Sequence, residues 1–321
     1  MALVTSFGSA LLVGGMVALI VAVAGCQGRT PAPMARQRPS IVAADGVLCD
    51  LTQRLVQSAA EVNCLVPPGE DPHSLRLTPQ QKRQLGQAQV VLINGYNLSP
   101  SLQGLAGSKA VAELAVPDSP KLDPQSADPH VWQDPAQGQA LVRWLHRELG
   151  ALLPAEARAM DRRAKAMESV LADLDTWNRR QLATIPGQAA GQKPVLASSH
   201  RAFISLARAY GLEELALLDG SSGSHVLRPE GLDATLKQLR RLGVRQLFSE
   251  ELPPPKALLR LSALSGIPIA PAALVADGLA PGQPSLPATA IANTCLISEG
   301  LGGRCDRQSG QALQTRWLAI R

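Results

Sequence analysis

The stretch from residue 154 to residue 185 contains almost nothing that would stop a helix. Ala, Arg, Leu, Glu and Met dominate it, and all are good helix formers. It therefore predicts one long helix, and some 30 residues at 1.5 Å each extend about 45 Å. A helix of that length is out of proportion to a small domain, so it reads as a spine between two. The 321 residues suffice for two domains of ordinary size, one on each side.

Both flanks of the spine alternate strand and helix. In the first half, residues 40–48 read as a strand and residues 49–60 as a helix with Leu51, Leu55 and Ala59 on one face. Residues 62–66 read as a second strand, broken by Pro67-Pro68-Gly69, which presents Glu70, Asp71 and His73 in a loop. Thr78-Pro79 supplies a capping hydroxyl and a proline at the first helical position for a helix to about residue 87. Residues 90–93 form a buried strand, and Asp134-Pro135 opens a helix over 134–153. In the second half, strands are expected at 194–197, 215–218, 246–248 and 267–270. Helices are expected at 202–210, 230–242 and 254–265, with the last at 288–299. Strand-then-helix repetition implies parallel sheets with crossover helices, an α/β fold of two lobes in which ligands sit beyond the carboxyl ends of the strands. Aromatic residues are only 3% of the chain, so Leu, Ala and Val must fill the core. The formal charge of +5 is carried by basic residues scattered through helices, such as Arg162-Arg163 and Arg240-Arg241. Without a basic block interleaved with aromatics, this pattern argues against nucleic-acid binding and describes solvated helix faces.

The N-terminus is a targeting segment. Residues 5–25 are uncharged and rich in Ala, Val, Leu and Gly, and the run stops at Val23-Ala24-Gly25-Cys26. Small residues immediately before a cysteine resemble a bacterial lipoprotein signal: residues 1–25 would be removed and Cys26 lipidated. An uncleaved membrane helix of about 20 apolar residues is the alternative. Residues 1–10 lack the basic residue expected of such a signal. Residues 26–40 are polar and Pro-rich, as a flexible tether should be. Export into an oxidising compartment makes the remaining Cys49, Cys64, Cys295 and Cys305 candidates for two disulfides, with three pairings open and free thiols as the alternative. Cys49–Cys64 with Cys295–Cys305 closes the shortest loops. No CxxC pair exists to suggest a cysteine zinc site.

Of five histidines, three occupy strand-to-loop or loop-to-helix positions: His73 in Asp71-Pro72-His73, His130 in Asp128-Pro129-His130, and His200 after Ser198-Ser199. Asp277 also follows a strand. Two fall in the first half and two in the second, so they close on one ion only across a cleft between lobes. Three imidazoles and a carboxylate suit tetrahedral zinc, whereas manganese prefers more oxygen. His146 lies on the polar face of an amphipathic helix and His225 in a Ser/Gly loop, and neither is assigned to the site.

Five segments, in order from about residue 41 onward, carry a family resemblance: PGEDPHSLRLTP (68–79), DPHVWQDP (128–135), SSHRAFISLARAYGL (198–212), RPEGLDATLKQLRRLGVRQLFSEE (228–251) and VADGL (275–279). As a set they resemble the zinc/manganese-specific solute-binding lipoproteins of bacterial ABC importers. The resemblance implies two similar parallel-sheet lobes joined by one long rigid helix. Signal, tether, lobes and spine would then occupy residues 1–25, 26–40, 41–153, 154–187 and 188–321. It implies metal ligands at His73, His130, His200 and Asp277. The third position is His in zinc-type members and Glu in manganese-type members, so His200 points to zinc over manganese. The implied role is a monomeric, non-enzymatic zinc receptor outside the cytoplasmic membrane, held there by lipid on Cys26 and serving an ABC-type permease. Zinc-type members carry a His- and acid-rich loop before the second ligand, yet residues 117–130 here contain no histidine but His130. Water at the fourth position is the alternative to Asp277. Glu70 is expected to cap or support. The rival class is a zinc hydrolase with an open coordination position. Against it, HExxH is absent, and Glu250 is the best-placed candidate base.

Overall fold

The computed structural model describes residues 38–121, 127–219, 226–227, 231–282 and 285–321. The signal segment, Cys26 and His225 lie outside these residues. In the first lobe, β1 (Ser40–Ala43), α1 (Gly46–Val56), β2 (Glu61–Cys64), α2 (Pro79–Gln87), β3 (Val90–Ile93), β4 (Ser108–Ala110) and α3 (Val111–Ala115) build a parallel sheet of order β2-β1-β3-β4. Its register sets Val42 beside Asn63 and Val91. α1 begins at Gly46, inside the span expected as strand, because the Asp45 carboxylate accepts the Leu48 N–H and caps the helix there. α2 follows the capping logic of Thr78 and Pro79, with Gln81 closing a reciprocal capping box. α4 (Pro135–Leu152) opens on an Asp134 cap, and α5 (Ala157–Leu182) is the spine.

α5 holds 26 residues and so extends about 39 Å. Its buried stripe runs Met160, Ala164, Met167, Leu171, Leu174, Asn178 and Gln181, a three-four spacing that marks one continuous face. Met160 to Trp177 pack into the core of the first lobe, and Leu182 into that of the second, so one helix is shared by both cores.

The second lobe contains β5 (Val195–Ser198), α6 (Ile204–Tyr210), β6 (Glu213–Ala216), β7 (Leu218–Asp219), β8 (Val226–Leu227), α7 (Gly231–Arg241), β9 (Leu247–Phe248) and α8 (Lys256–Ser265). Its parallel sheet has the order β6-β5-β9, and β7 pairs antiparallel with β8. The strand expected at 267–270 is reduced to one bridge, Leu247 to Ile269. Pro268 and Pro271 lack the N–H groups that a longer ladder needs. α9 (Leu286–Gly300) is not the last helix, as α10 (Arg307–Leu318) follows, capped by Asp306. α10 drives Trp317, fully buried, into the first lobe's core, where its indole N–H donates to Asp50. Leu279, Leu286, Ile291 and Cys295 pack in that same core, so the chain returns to the first lobe after Asp277.

Both disulfides take the local pairing, Cys49–Cys64 and Cys295–Cys305. The first ties α1 to β2 upstream of the His73 loop. Among the described residues, no helix is long and apolar enough to cross a membrane.

Candidate metal centre

His73, His130, His200 and Asp277 come together where the two lobes meet. Each offers one ligand atom, and the four atoms lie within 4.8 Å of one another. His73 Nε2 and His130 Nε2 are 3.3 Å apart. Asp277 Oδ1 is 3.0 Å from His130 Nε2 and 3.2 Å from His73 Nε2, while Asp277 Oδ2 is 3.7 Å from His200 Nε2. Tetrahedral zinc with bonds of 2.0–2.1 Å to nitrogen sets neighbouring ligand atoms about 3.3 Å apart; the separations among His73, His130 and Asp277 match that spacing, and His200 stands somewhat further out.

Local structure aims each side chain. The Asp71 carboxylate accepts the His73 N–H at 2.7 Å and caps the single turn Pro72–Ser74. Capping thus falls to Asp71, and Glu70, for which that role was expected, is exposed on the cleft wall. His130 is 2% exposed. Its backbone N–H and its Nδ1 both meet Asp128 Oδ1, at 2.9 and 3.0 Å. Asn94, at the end of β3, holds the preceding Pro129 carbonyl at 2.9 Å. His200 leaves the end of β5 with its N–H and Nδ1 both on the Glu250 carboxylate. With Nδ1–H donated to a carboxylate in each case, Nε2 of His130 and of His200 faces the centre, and its lone pair is open to a metal once the proton there has left. His200 Nε2 is buried and makes no hydrogen bond, a polar atom without a partner.

Asp128 and Glu250 are the supporting groups that sequence reasoning passed over. Asp128 opens the Asp128-Pro129-His130 segment. Glu250 is the candidate hydrolytic base of the rival reading, but its carboxylate is engaged by His200. Asp128 also accepts from the Ser205 backbone N–H at 3.2 Å and from its hydroxyl, linking His130 to α6 of the opposite lobe. His146 sits half-buried on α4 and takes no part in the cluster.

The electrostatics follow from this wiring. Burial works against a charged His130, but hydrogen bonds to Asp128 and Asp277 and the charges of both outweigh it and push its pKa up to about 10. Burial likewise opposes charge on His200, and the adjacent Glu250 carboxylate raises it nevertheless. Asp277 is also penalised by burial, yet its bonds to His130 and His73 hold it well below the ordinary carboxylate range. A cavity of about 630 Å³ opens over the cluster, walled by Asp71, Ser199, Glu251, Leu252 and Leu274 among others.

The chain has known relatives. The family model described as the zinc-uptake complex component A, periplasmic, matches residues 41–289. The zinc-binding protein TroA of Treponema pallidum (strain Nichols) is 31% identical over 195 residues, 58% of this chain and 62% of TroA, so that alignment spans less than two thirds of the relative. The manganese-binding lipoprotein MntA of Bacillus subtilis (strain 168) is 28% identical over 244 residues, covering 72% of this chain and 78% of MntA. The solved structure of periplasmic zinc-binding TroA superimposes with a TM-score of 0.73 at 25% identity, covering 82% of this chain and 99% of that one.

Proposed function

Because the chain belongs to the zinc-uptake component A family, the metal-binding receptors of ABC importers, we propose that His73, His130, His200 and Asp277 hold one zinc ion as cargo for a membrane permease. The observation that carries this reading is His200. It is a third imidazole, backed by the Glu250 carboxylate, with an unpartnered Nε2 buried among the other ligand atoms. Three nitrogens and one oxygen in a shell of these dimensions favour zinc over manganese, which prefers more oxygen. The ion enters as substrate and binds only to neutral imidazoles, so capture is coupled to proton loss.

Around this site the reading assigns residues 1–25 to a removed signal and Cys26 to a lipid anchor. Residues 26–40 form the tether, and the receptor works as a monomer outside the cytoplasmic membrane. We assign it no catalytic step, and Glu250, the candidate base, already orients a ligand.

Competitive titration of residues 27–321 after chelator stripping, followed by metal analysis, tests the proposal. One equivalent of tightly held zinc, with preference moving toward manganese in His200→Glu, is the expected result. Manganese held more tightly than zinc by the unaltered protein would keep the receptor and overturn the ion. No stoichiometric metal would overturn the site.

A further inference from the structure

Asp277 follows a second-lobe segment, but the loop that carries it is gripped by the first lobe. Gln133, three residues beyond His130 and 5% exposed, donates its side-chain N–H to the carbonyls of Ala276 at 3.1 Å and Val275 at 3.3 Å. Four residues before His73, the Gly69 N–H donates to the Leu279 carbonyl at 3.0 Å. Gly69 has φ +87°, and a Cβ there would lie 2.6 Å from Pro281 Cγ, so the two loops approach as closely as glycine permits. Beyond Asp277, Leu279 and Leu286 pack in the first lobe's core, and the Leu286 N–H donates to Asp50 of α1 at 2.9 Å. The second lobe keeps Leu274, through its N–H to the Ser249 carbonyl at 2.8 Å, and packs Leu274 and Ala276 in its core. The chain therefore changes lobes at the ligand itself. The distances agree, because Asp277 lies 3.0 and 3.2 Å from the two first-lobe histidines and 3.7 Å from His200.

We propose that Gln133 is a positioning residue that fixes Asp277 to His73 and His130. The first lobe then carries a three-ligand half-site, and His200 is the ligand that engages or leaves as the second lobe moves. This rests on the zinc-receptor reading above and adds an order of events to it. The ion is captured by His73, His130 and Asp277 and sealed by His200, and release begins with His200.

The test is a double-mutant cycle on the full chain, read by competitive zinc titration. Gln133→Met keeps length and apolar bulk and removes the donor. Alone it should weaken zinc binding about 10-fold, the lower end for a group that orients a ligand. In an Asp277→Ala background the same change should cost less than about 2-fold, because its target is gone. A merely structural Gln133 would weaken binding equally in both backgrounds, and that result, or no loss at all, overturns the assignment. Should Gln133→Met not fold, His200→Ala decides. One equivalent of zinc retained at reduced affinity supports the half-site, and loss of stoichiometric zinc overturns it. If the unaltered chain binds no stoichiometric zinc, the receptor reading falls and this inference with it. If it binds zinc but the cycle is additive, only this inference falls.

Discussion

Zinc added to the metal-free protein at pH 8 should release at least about one proton per ion, where an ordinary histidine site would release almost none. Asp128 at 3.0 Å and Asp277 at 3.0 Å sit on the two nitrogens of His130, and despite its burial they raise its pKa to about 10. Two units below that value the imidazole is about 99% charged, whereas a histidine at the free value of about 6.5 would be about 3% charged at pH 8. Zinc needs the Nε2 lone pair, so the proton must leave. His200, shifted in the same direction, can only add to the count. Displacing the His130 proton at pH 8 therefore costs on the order of a few kcal/mol. Zinc affinity should accordingly keep rising, about tenfold per pH unit, through the range 7–9. Calorimetric titration in two buffers of different ionisation enthalpy counts the protons, after correction for zinc–buffer binding. Release below about 0.3 proton, or an affinity plateau above about pH 7.5, would refute the reasoning. The stability of the metal-free protein carries the matching signs. The folded pKa of His130 lies above its unfolded value, so its contribution is fully present below about pH 6.5 and is lost as pH rises through about 10. Asp277 is depressed, so its contribution is present above about pH 3.9 and is lost as pH falls through its lowered folded value.

Two further outcomes are expected. Glu250→Gln removes the carboxylate behind His200 Nδ1 and should weaken zinc binding about 10–100-fold, or roughly 1.4–2.7 kcal/mol; unchanged affinity in a competition titration would mean that Glu250 does not orient the ligand. Replacing Cys49 and Cys64 together by Ala opens a loop with a sequence separation of 15 and should lower the unfolding free energy by about 3 kcal/mol, measured by denaturant titration with no reductant. An unmoved midpoint would show that the bond does not constrain the unfolded chain.

Much of the fold was legible in sequence, and the exceptions have physical causes. The β3 span at 90–93 and the α2 cap at Thr78-Pro79 are legible directly, because a short apolar run and a capping hydroxyl followed by proline are local signals. The helical start at Gly46 was missed because residues 40–48 are apolar enough for either period, and only the Asp45 cap separates strand from helix. The apolar run at 267–270 suggests a strand, but Pro268 within it and Pro271 after it limit the pairing to one bridge. α10 was overlooked although Asp306 caps it and Leu313 and Trp317 repeat at helical spacing.

What the sequence determined by itself is local in origin. The long breaker-free run forms α5, and the strand-helix alternation produces two parallel sheets. The three histidines stand at the ends of strands or the starts of turns, where their backbone context presents them to a cleft. Tertiary structure decided the rest. It placed Glu250 behind His200 and Ser205 of α6 on Asp128, and it returned the chain after Asp277 to the first lobe. It also set Gln133 against the Asp277 loop. These are contacts between groups far apart in the chain, 50 residues for His200 with Glu250, 143 for Gln133 with Ala276 and 236 for Asp50 with Leu286, and no periodicity encodes them. They arise because a buried polar atom must find a partner wherever packing of the two cores brings one within reach.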